Sequence, residues 1–573
     1  MATADPSPIP FPVSSFPGAN PQEGAGRLIN CYAEPLGDPQ GPASAPAAQV
    51  WRRAPGLSQF ASTAQSGYRG GLIVGGSSYE VWANQAATVS GAGVVSLLGT
   101  FPGTKKVSIA RDQASPNPDV VAVDIDNGAY QLSGGGAPTH YTGGGNLPSP
   151  NSVAFQDSYF FFTIGSGQVY ASGQNALTQN ALTFITIQAK ADVNLLRGIA
   201  YSGLMLFFTT GSCEVWQDVA NPAPAFPYGR LTVLEYGLIQ ANAIAGWETG
   251  FSNLMWVAQD FGVYLMMPGT LAPQKVSPPD LDRLIEAQVV ANNTFDAGCY
   301  IFGGKKFWHL SSPAWTWEFN LATAKWNERQ SLNTSGVYGR WRATGGHPAF
   351  GKWLIGDQNS GKLLFVDDQN FTEVGSPQLF RVESGPVKTF PGRVRIARAD
   401  FDFDMGVGIA VGNFVMMVTG AAAGAGGVVR LAVTDTSRAA TNDTAIVANV
   451  GGTTEANGTW LITVVDATHI ELKGTTFVHA WTSGGTATDV TSPASAVAPT
   501  VAISRSLDGA LTFGNPRVRS LGQQGRSKRT RASVKAMGLS GPMGDRWRLD
   551  VTDPVYVGLM GGTQSSNPRE VGA

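Results

Sequence analysis

A short hairpin pattern recurs along most of this chain. Each copy is an apolar run rich in β-formers, a turn that contains glycine, and a second run that usually carries an aromatic residue. Two extended runs that a tight turn separates pair with each other, so the pattern favours short antiparallel strands. The seven copies occupy residues 71–82, 119–132, 158–172, 204–217, 253–267, 298–310 and 352–366.

The spacing of the copies predicts a β-propeller. Most of their centres lie roughly 40 to 50 residues apart, near the length of a four-stranded blade. A single blade cannot bury both faces of its sheet, whereas a ring of blades buries a continuous set of interfaces. We therefore expect an all-β chain with a six- or seven-bladed propeller. An array of β-sandwiches is the alternative, because short-period patterns alone do not exclude it.

The composition agrees with many short strands. The 573 residues include 71 Gly, 35 Pro and 14 Trp, and only 14% of them are charged. A chain of this length forms two or three structural units. The formal net charge of −2 argues against a dedicated nucleic-acid coat protein. One surface helix is predicted at residues 278–292, where Pro279 precedes apolar residues at helical spacing.

Several protein classes are disfavoured by simple sequence features. Cys31, Cys213 and Cys299 are too few and too widely spread for a disulfide framework or a cysteine zinc site, so we interpret them as buried apolar residues. Residues 1–12 lack the basic start and apolar run of a signal peptide. No stretch approaches the roughly 20 apolar residues of a membrane helix. We expect a soluble protein that is made in a cytoplasm.

Changes of composition divide the chain into five segments. An Ala/Gly run at residues 420–429 is typical of a flexible linker, and the Thr-, Val- and Ile-rich stretch after it predicts a small inserted β domain. Propellers commonly close with strands from both chain ends, so we expect the C-terminal strands to complete the main domain. The expected segments are an extended N-terminal arm (1–50), the propeller (51–405), a Gly/Ala-rich linker with strands (406–440), an inserted small β-barrel or sandwich (441–490), and a linker followed by basic C-terminal strands (491–573).

Three segments resemble the packaged-DNA stabilisation proteins of short-tailed bacteriophages, which are also called tail accessory factors or tail hub and nozzle proteins. The segments are Gly26-Arg-Leu-Ile-Asn-Cys-Tyr-Ala-Glu-Pro35, Arg52-Arg-Ala-Pro-Gly-Leu57 and Arg197-Gly-Ile-Ala-Tyr-Ser-Gly-Leu-Met-Leu-Phe-Phe-Thr-Thr-Gly-Ser-Cys-Glu-Val-Trp216. The resemblance extends mainly over residues 26–403 and the C-terminal strands. It is moderately specific, because propeller-like motifs follow one another in a fixed order.

The resemblance implies a structural virion protein of the tail rather than an enzyme. Its copies would form a ring, as a homohexamer, that extends the DNA channel and helps to retain packaged DNA until ejection. The implied partners are further copies of the chain, the adaptor and portal rings, tail fibre or needle proteins, and double-stranded DNA bound without sequence specificity. No cofactor is implied, and synthesis would take place in the host cytoplasm.

The insert at residues 441–490 departs from the simplest members of that family. It resembles part of the first catalytic cysteine half-domain of ubiquitin-activating enzymes, a small β module. It contains no cysteine, so no ubiquitin chemistry is implied.

Motifs for catalysis or metal binding are weak. Ser506-Leu-Asp-Gly-Ala-Leu-Thr-Phe513 approximates the Asp-box of sialidase-type propellers, which is structural even in those enzymes. The five histidines lack metal-ligand spacing, and no phosphate-binding glycine loop precedes a helix. Alternating acids such as Asp400, Asp402 and Asp404 are more often a solvated strand face than a cation site. The tryptophans and the Asp-box leave a carbohydrate-binding or glycosidase-type propeller as the alternative function.

The candidate site is a basic stretch near the C-terminus, within which no acidic residue occurs. It could contact phosphates of DNA in the tail lumen, which requires positive charge without sequence readout. It could instead dock on a neighbouring subunit, where arginine forks pair with carboxylates, or be a solvated face. A lumen through which DNA slides gains little from a strongly basic lining, so we favour the subunit contact. The stretch comprises Arg517, Arg519, Arg526, Lys528, Arg529, Arg531 and Lys535.

Overall fold

The computed structural model is almost entirely β-structure. It describes residues 6–36, 49–190, 194–387, 393–405, 414–436, 439, 441–489, 499–522 and 529–567. Over these ranges the strands form a seven-bladed propeller, a two-sheet sandwich and a closed barrel. The all-β class and the propeller with a small barrel are therefore confirmed.

Each propeller blade is a four-stranded antiparallel sheet. The strands are Tyr68–Val74, Ser77–Trp82, Gln85–Ser90 and Val95–Thr100 in blade 1; Val107–Arg111, Val120–Asp124, Gly128–Gln131 and Thr139–Tyr141 in blade 2; Ser152–Gln156, Tyr159–Thr163, Gln168–Gly173 and Ala176–Thr186 in blade 3; and Leu195–Tyr201, Leu204–Thr209, Cys213–Asp218 and Tyr228–Leu234 in blade 4. They are Ile244–Ala245, Leu254–Val257, Val263–Met266 and Gln274–Lys275 in blade 5; Asp296–Phe302, Lys305–Ser311, Thr316–Asn320 and Lys325–Leu332 in blade 6; and Ala343–Ala349, Lys352–Asp357, Lys362–Asp367 and Gly56–Ser62 in blade 7. Tyr338–Arg340, Thr372–Glu373 and Ser376–Pro377 are short additions to blades 6 and 7.

The seven predicted hairpins lie in seven different blades, one in each. The ring closes in blade 7, where Gly56–Ser62 pairs antiparallel with Lys362–Asp367. Because Gly56–Ser62 directly precedes blade 1 in the chain, this pairing ties the last blade to the first. The first strands of neighbouring blades lie against each other around the axis.

The predicted helix is confirmed at Pro279–Val290, between blades 5 and 6. Its apolar side chains Leu281 and Ile285 are fully buried against the propeller. In its first turn, the half-buried Asp280 accepts a hydrogen bond from the backbone N–H of Gly18 (2.9 Å). Three 3₁₀ turns complete the described helices, at Gly143–Gly145, Ala425–Gly427 and Thr454–Ala456. None of these described helices is long and apolar enough to cross a membrane.

The propeller core is aromatic. Trp256, Trp308, Trp317 and Trp341 are each less than 2% exposed, and such side chains each bury a large apolar area where blades meet. The three cysteines are fully buried, as predicted. Burial raises the pKa of each thiol, so none is a reactive thiolate at neutral pH.

A β-sandwich is built from both ends of the chain. Leu28, Phe401 and Trp547 are fully buried between its two sheets. In spatial order, the first sheet contains Cys31–Pro35, Gln49–Arg53, Gly558–Asn567, Arg395–Asp404 and Arg529–Leu539, with Ser7–Pro8 also beside Gly558–Asn567. The second contains Arg27–Ile29, Phe380–Glu383, Arg546–Val551, Thr500–Ser506 and Arg517–Ser520. The second sheet continues into blade 6, because Arg27–Ile29 runs parallel to Lys325–Leu332.

Two expectations about the chain ends are wrong. The N-terminal residues do not form a separate arm, since their described strands belong to the sandwich. The C-terminal strands do not complete the propeller, because blade 7 takes its fourth strand from Gly56–Ser62. They pair instead with Arg395–Asp404 and Phe380–Glu383, both of which the sequence had assigned to the propeller.

The inserted domain is a closed six-stranded barrel that begins earlier than predicted. Its strands, in order around the barrel, are Phe414–Ala423, Val429–Val433, His469–Leu472, Gly458–Asp466, Thr444–Ala448 and Thr486–Asp489. The linker prediction for the Ala/Gly run is therefore wrong, because Met416, Val418 and Leu431 bury their side chains in the barrel core and hold the flanking strands in register. Residues 406–413 and 490–498, where the remaining parts of both linkers were expected, lie outside the described residues.

Candidate functional site

The predicted basic stretch lies on one open edge of the sandwich. Arg517–Ser520 is the last strand of one sheet and Arg529–Leu539 is the last strand of the other, and the two strands lie beside each other. Five of the seven predicted residues come together there, all exposed: Arg517, Arg519, Arg529, Arg531 and Lys535. Arg526 and Lys528 lie outside the described residues.

Two of these arginines bond to the backbone of the opposite sheet. Arg517 donates through Nη1 to the carbonyl oxygen of Lys535 (2.6 Å), and Arg519 donates through Nε to the carbonyl oxygen of Ser533 (2.8 Å). Carbonyl groups on an open sheet edge otherwise bind water or another strand. The two side chains therefore link the sheets and partly occupy this edge.

The acids of the neighbouring strand form ion pairs. Arg531 donates to both carboxylate oxygens of Asp402 (2.7 and 3.1 Å), and Arg398 donates to Asp400 (2.6 Å). These contacts make Asp402 a cross-strand partner of Arg531 and Asp400 a partner of Arg398 on its own strand. Over the described ranges, no group of three or more His, Cys, Asp or Glu side chains could hold a metal ion.

A cavity of about 310 Å³ lies on the propeller axis and is lined by residues from every blade. Its charged side chains come from distant parts of the chain. Lys106 precedes blade 2, Arg197 belongs to blade 4, Glu248 follows the first strand of blade 5, and Asp296 begins blade 6. Residues from different blades therefore place both positive and negative side chains in the wall of this cavity.

Lys106 connects three blades at this cavity. Its Nζ is 3.5 Å from Asp296 Oδ1 in blade 6, donates to the Thr344 hydroxyl in blade 7, and lies 5.6 Å from the ring centre of Tyr68 in blade 1. Arg340 also lies 3.3 Å from Asp296. Burial alone would raise the pKa of Asp296, but the charges of Lys106 and Arg340 hold it below its usual value.

On the opposite wall, Arg197 lies over the Trp247 ring (4.9 Å to the centroid) and donates to the carbonyl oxygen of Ala241 (2.8 Å). Burial lowers the pKa of this guanidinium to about 10. Burial also raises the pKa of Glu248, whose carboxylate accepts the Gly246 N–H (2.6 Å). The cation thus stacks on an aromatic ring and bonds to backbone, and among the described residues it forms no ion pair with a carboxylate.

A third buried group crosses the seam where the ring closes. Glu80 of blade 1 accepts hydrogen bonds from Tyr68 (2.8 Å) and Ser78 (2.7 Å). His347 of blade 7 lies 3.1 Å from Glu80 and 2.9 Å from Ser78. Polar contacts therefore join the first and last blades near the axis, in addition to the shared strand at the rim.

The seven blades also decide which family the chain belongs to. A family model described as "Bacteriophage P22 Gp10, beta-propeller" matches residues 43–370, which include every strand of all seven blades. The chain belongs to this family. The resemblance found in the sequence is confirmed, and membership supports a structural role in a phage tail.

Solved structures similar to this member of the P22 Gp10 family are distant. They include streptogramin B lyase (13% identity, TM-score 0.38, covering 54% of this chain and 97% of that one), the WD40 propeller domain of Doa1 (8%, 0.34, 54% and 97%) and the computationally designed Ika8 protein (10%, 0.30, 54% and 99%). At these scores they carry no argument about function. Among curated proteins, none matches the chain.

In this member of the P22 Gp10 family, carboxylates near the axis connect blades. A glycosidase needs two carboxylates that flank a bound sugar, whereas Glu80 contacts His347 of blade 7 and Asp296 pairs with Lys106 beside blade 2. The Asp-box lies in the sandwich rather than in a blade. There Asp508 accepts hydrogen bonds from the side chain and backbone of Thr512, which lower its pKa to about 2 and fix a turn.

Sequence reasoning missed the axial residues. Lys106, Arg197 and Asp296 are separated by 91 and 99 residues, and each looks like an isolated charge beside an apolar run. The available signal was their common position at or next to the first strand of a blade, where the blades converge on the axis.

Proposed function

We propose that this chain is a ring-forming structural subunit of a short phage tail. Six copies form a ring below the portal and adaptor, extend the DNA channel and help to retain packaged DNA until ejection. The family match over all seven blades carries this proposal. The chain acts mechanically, without covalent chemistry, and tail fibre or needle proteins bind to the same assembly.

A rigid subunit suits a wall that must hold DNA under pressure. Blade 7 is closed by Gly56–Ser62, and the sandwich shares a continuous ten-stranded sheet with blade 6. Neither part can move against the other without breaking ladder hydrogen bonds. This continuity supports a role in which the propeller and the sandwich act as one body.

The basic edge is our candidate for the contact between neighbouring subunits. Arg529 and Lys535 are exposed on an edge strand, and Arg517 and Arg519 lie beside them. An acidic surface on the adjacent subunit would pair with these cations, and the exposed side chain of Val518 would add apolar contact. Non-specific contact with DNA phosphates is the alternative role for the same residues.

Electron cryo-microscopy of whole virions tests the main proposal. We expect a ring of propellers below the portal and adaptor, with the chain traceable in it. The map would also show whether the basic edge faces a subunit or the lumen. Absence of this chain from the particle would refute the structural role, and glycan-binding and hydrolysis assays would then test the carbohydrate alternative.

Charge reversal tests the subunit contact. Arg529→Glu with Lys535→Glu should prevent ring formation on purified portal and adaptor, measured by mass photometry, while circular dichroism stays unchanged. Lys325→Glu is the matched control, because it is also exposed on a strand but lies five strands away in the ten-stranded sheet from Arg517–Ser520. If the double variant forms normal rings, the basic edge is not part of the contact between subunits.

A further inference from the structure

A second group of arginines lies on the outer face of the sandwich, away from the basic edge. Side chains alternate between the two faces of a strand, so Leu28, Val382 and Leu549 enter the core while their neighbours point outward. In register across three strands, Arg27 lies opposite Glu383, and Glu383 lies opposite Arg548. The outer face therefore carries a row of alternating charge.

Two of the acids of this face, Glu328 and Asp550, form ion pairs with arginines. Arg27 donates to both oxygens of Glu328 (3.0 and 2.6 Å) on the adjoining strand of blade 6. Arg381 donates to both oxygens of Asp550 (2.7 and 2.8 Å), and Arg548 Nε lies 3.5 Å from Asp550. One face thus gathers several guanidinium groups around few carboxylates.

Arg546 is the most buried arginine of the group. Arg546 is only 3% exposed, and its Nη2 donates a hydrogen bond to the carbonyl oxygen of Gln22 (2.7 Å). Its buried Nε has no hydrogen-bond partner among the described residues. A buried donor without a partner costs about 1 to 3 kcal/mol, and Arg546 lines a cavity in which an acceptor would offset part of that cost.

A cavity of about 260 Å³ lies over these arginines. Its floor contains Arg27, Arg381, Arg546, Arg548 and Glu383. Its walls are the N-terminal loop, which contributes Phe16, Pro17 and Pro21, and the turn that contributes Leu511 and Phe513. The Arg548 guanidinium lies 4.4 Å from the Phe513 ring centre. The cavity is therefore cationic below and apolar at its rim.

The charges on this face do not balance. Four arginines (Arg27, Arg381, Arg546 and Arg548) face three carboxylates (Glu328, Glu383 and Asp550), which leaves one positive charge. We infer that this cavity binds an organic monoanion, a carboxylate carried on an aromatic or aliphatic group. The carboxylate accepts from Arg546 and Arg548, and the apolar group packs against Phe513 and the proline-rich loop.

Such a carboxylate can belong to a small molecule or to the C-terminus of a partner chain. Titration calorimetry on the full chain should show saturable binding of benzoate, and at least tenfold weaker binding of the uncharged isostere benzamide. A tripeptide ending in phenylalanine, with a free or an amidated C-terminus, separates the two sources. Binding of benzoate alone identifies a small-molecule site, and binding of the free-carboxylate peptide as well identifies a site for a chain end.

Variants decide whether the cavity is the site. Arg546→Gln should weaken benzoate binding at least tenfold, and Phe513→Leu severalfold. Arg548→Gln replaces Arg546→Gln if the latter does not fold, because Arg548 is less buried. Arg531→Gln, on the basic edge, should change nothing. Lack of saturable benzoate binding, or equal binding by all variants, would overturn the inference.

Discussion

A buried ion pair joins blades 1 and 2. Arg69 of blade 1 and Asp124 of blade 2 are 2% and 0% exposed and lie 2.6 Å apart. Arg69→Met leaves Asp124 buried without its cation, so unfolding free energy should fall by about 3 to 5 kcal/mol. The exposed ion pair between Arg531 and Asp402 gives the control, because Arg531→Met should lower the unfolding free energy by less than about 1 kcal/mol. Urea unfolding measures both, and equal losses would contradict this account.

His309 should make stability depend on pH. It is fully buried against Trp341, and burial lowers its pKa to about 4. An unfolded chain binds the proton near pH 6.5, so protonation favours unfolding. Stability from the neutral ring is present above pH 6.5 and is lost as pH falls towards 4, by about 2 kcal/mol between pH 8 and pH 5.

Urea unfolding over that pH range tests this residue. His309→Gln keeps a neutral polar side chain and should flatten the decline, whereas His479→Gln, at an exposed position in the barrel, should not. A wild-type decline that His309→Gln leaves intact would assign the pH dependence to other groups.

At the scale of elements, local patterns predicted the hairpins and the helix but misjudged the barrel boundary. A tight turn between apolar runs is encoded within about ten residues, so all seven hairpins were found. The strand Phe414–Ala423 ends in alanines that have little intrinsic strand preference. It forms because the barrel pairs it on both sides, and such tertiary pairing overrides propensity.

The barrel should be removable without harm to the rest. Its first and last strands are antiparallel neighbours, with Phe414 opposite Asp489, so the two ends lie about 5 Å apart. Replacing residues 414–489 with a short Gly-Ser linker should change the unfolding free energy of the remainder by less than about 0.5 kcal/mol. Deleting Gly56–Ser62 should instead open blade 7 and abolish folding. If the barrel deletion fails to fold, the remainder depends on the barrel. If phage that carry the deletion still yield infectious, DNA-filled particles, the barrel is peripheral to DNA retention.

At the scale of the molecule, a site whose residues are close together in the sequence could be predicted, whereas a site that folding assembles from distant residues could not. The basic edge was found because its arginines follow one another along the chain. The arginine cavity was missed because Arg27, Arg381 and Arg546 come from three distant strands. Alternating charges in Arg381-Val-Glu383 and Arg546-Trp-Arg-Leu-Asp550 were the available signal, but only strand register shows that they share a face.

Because propeller and sandwich share a sheet, we expect them to unfold as one cooperative unit; Asn30 lies where the two parts join. Asn30 has φ 51°, and its side chain bonds both the carbonyl (2.9 Å) and the N–H (3.0 Å) of Gln330 in blade 6. Asn30→Ala removes both bonds from a buried site and should cost about 2 to 4 kcal/mol.

Hydrogen exchange measured by mass spectrometry tests whether Asn30→Ala destabilises the propeller and the sandwich equally. Because the ladder is continuous, peptides covering Arg395–Asp404 in the sandwich and Asp296–Phe302 in blade 6 should both exchange faster, to the same extent. Asn442→Ala is the matched control, since Asn442 also has a positive φ (81°) but lies in the barrel, and it should leave both peptides unchanged. Faster exchange confined to the sandwich peptide would mean that the two parts unfold separately, and the seam would then be a hinge rather than a rigid joint.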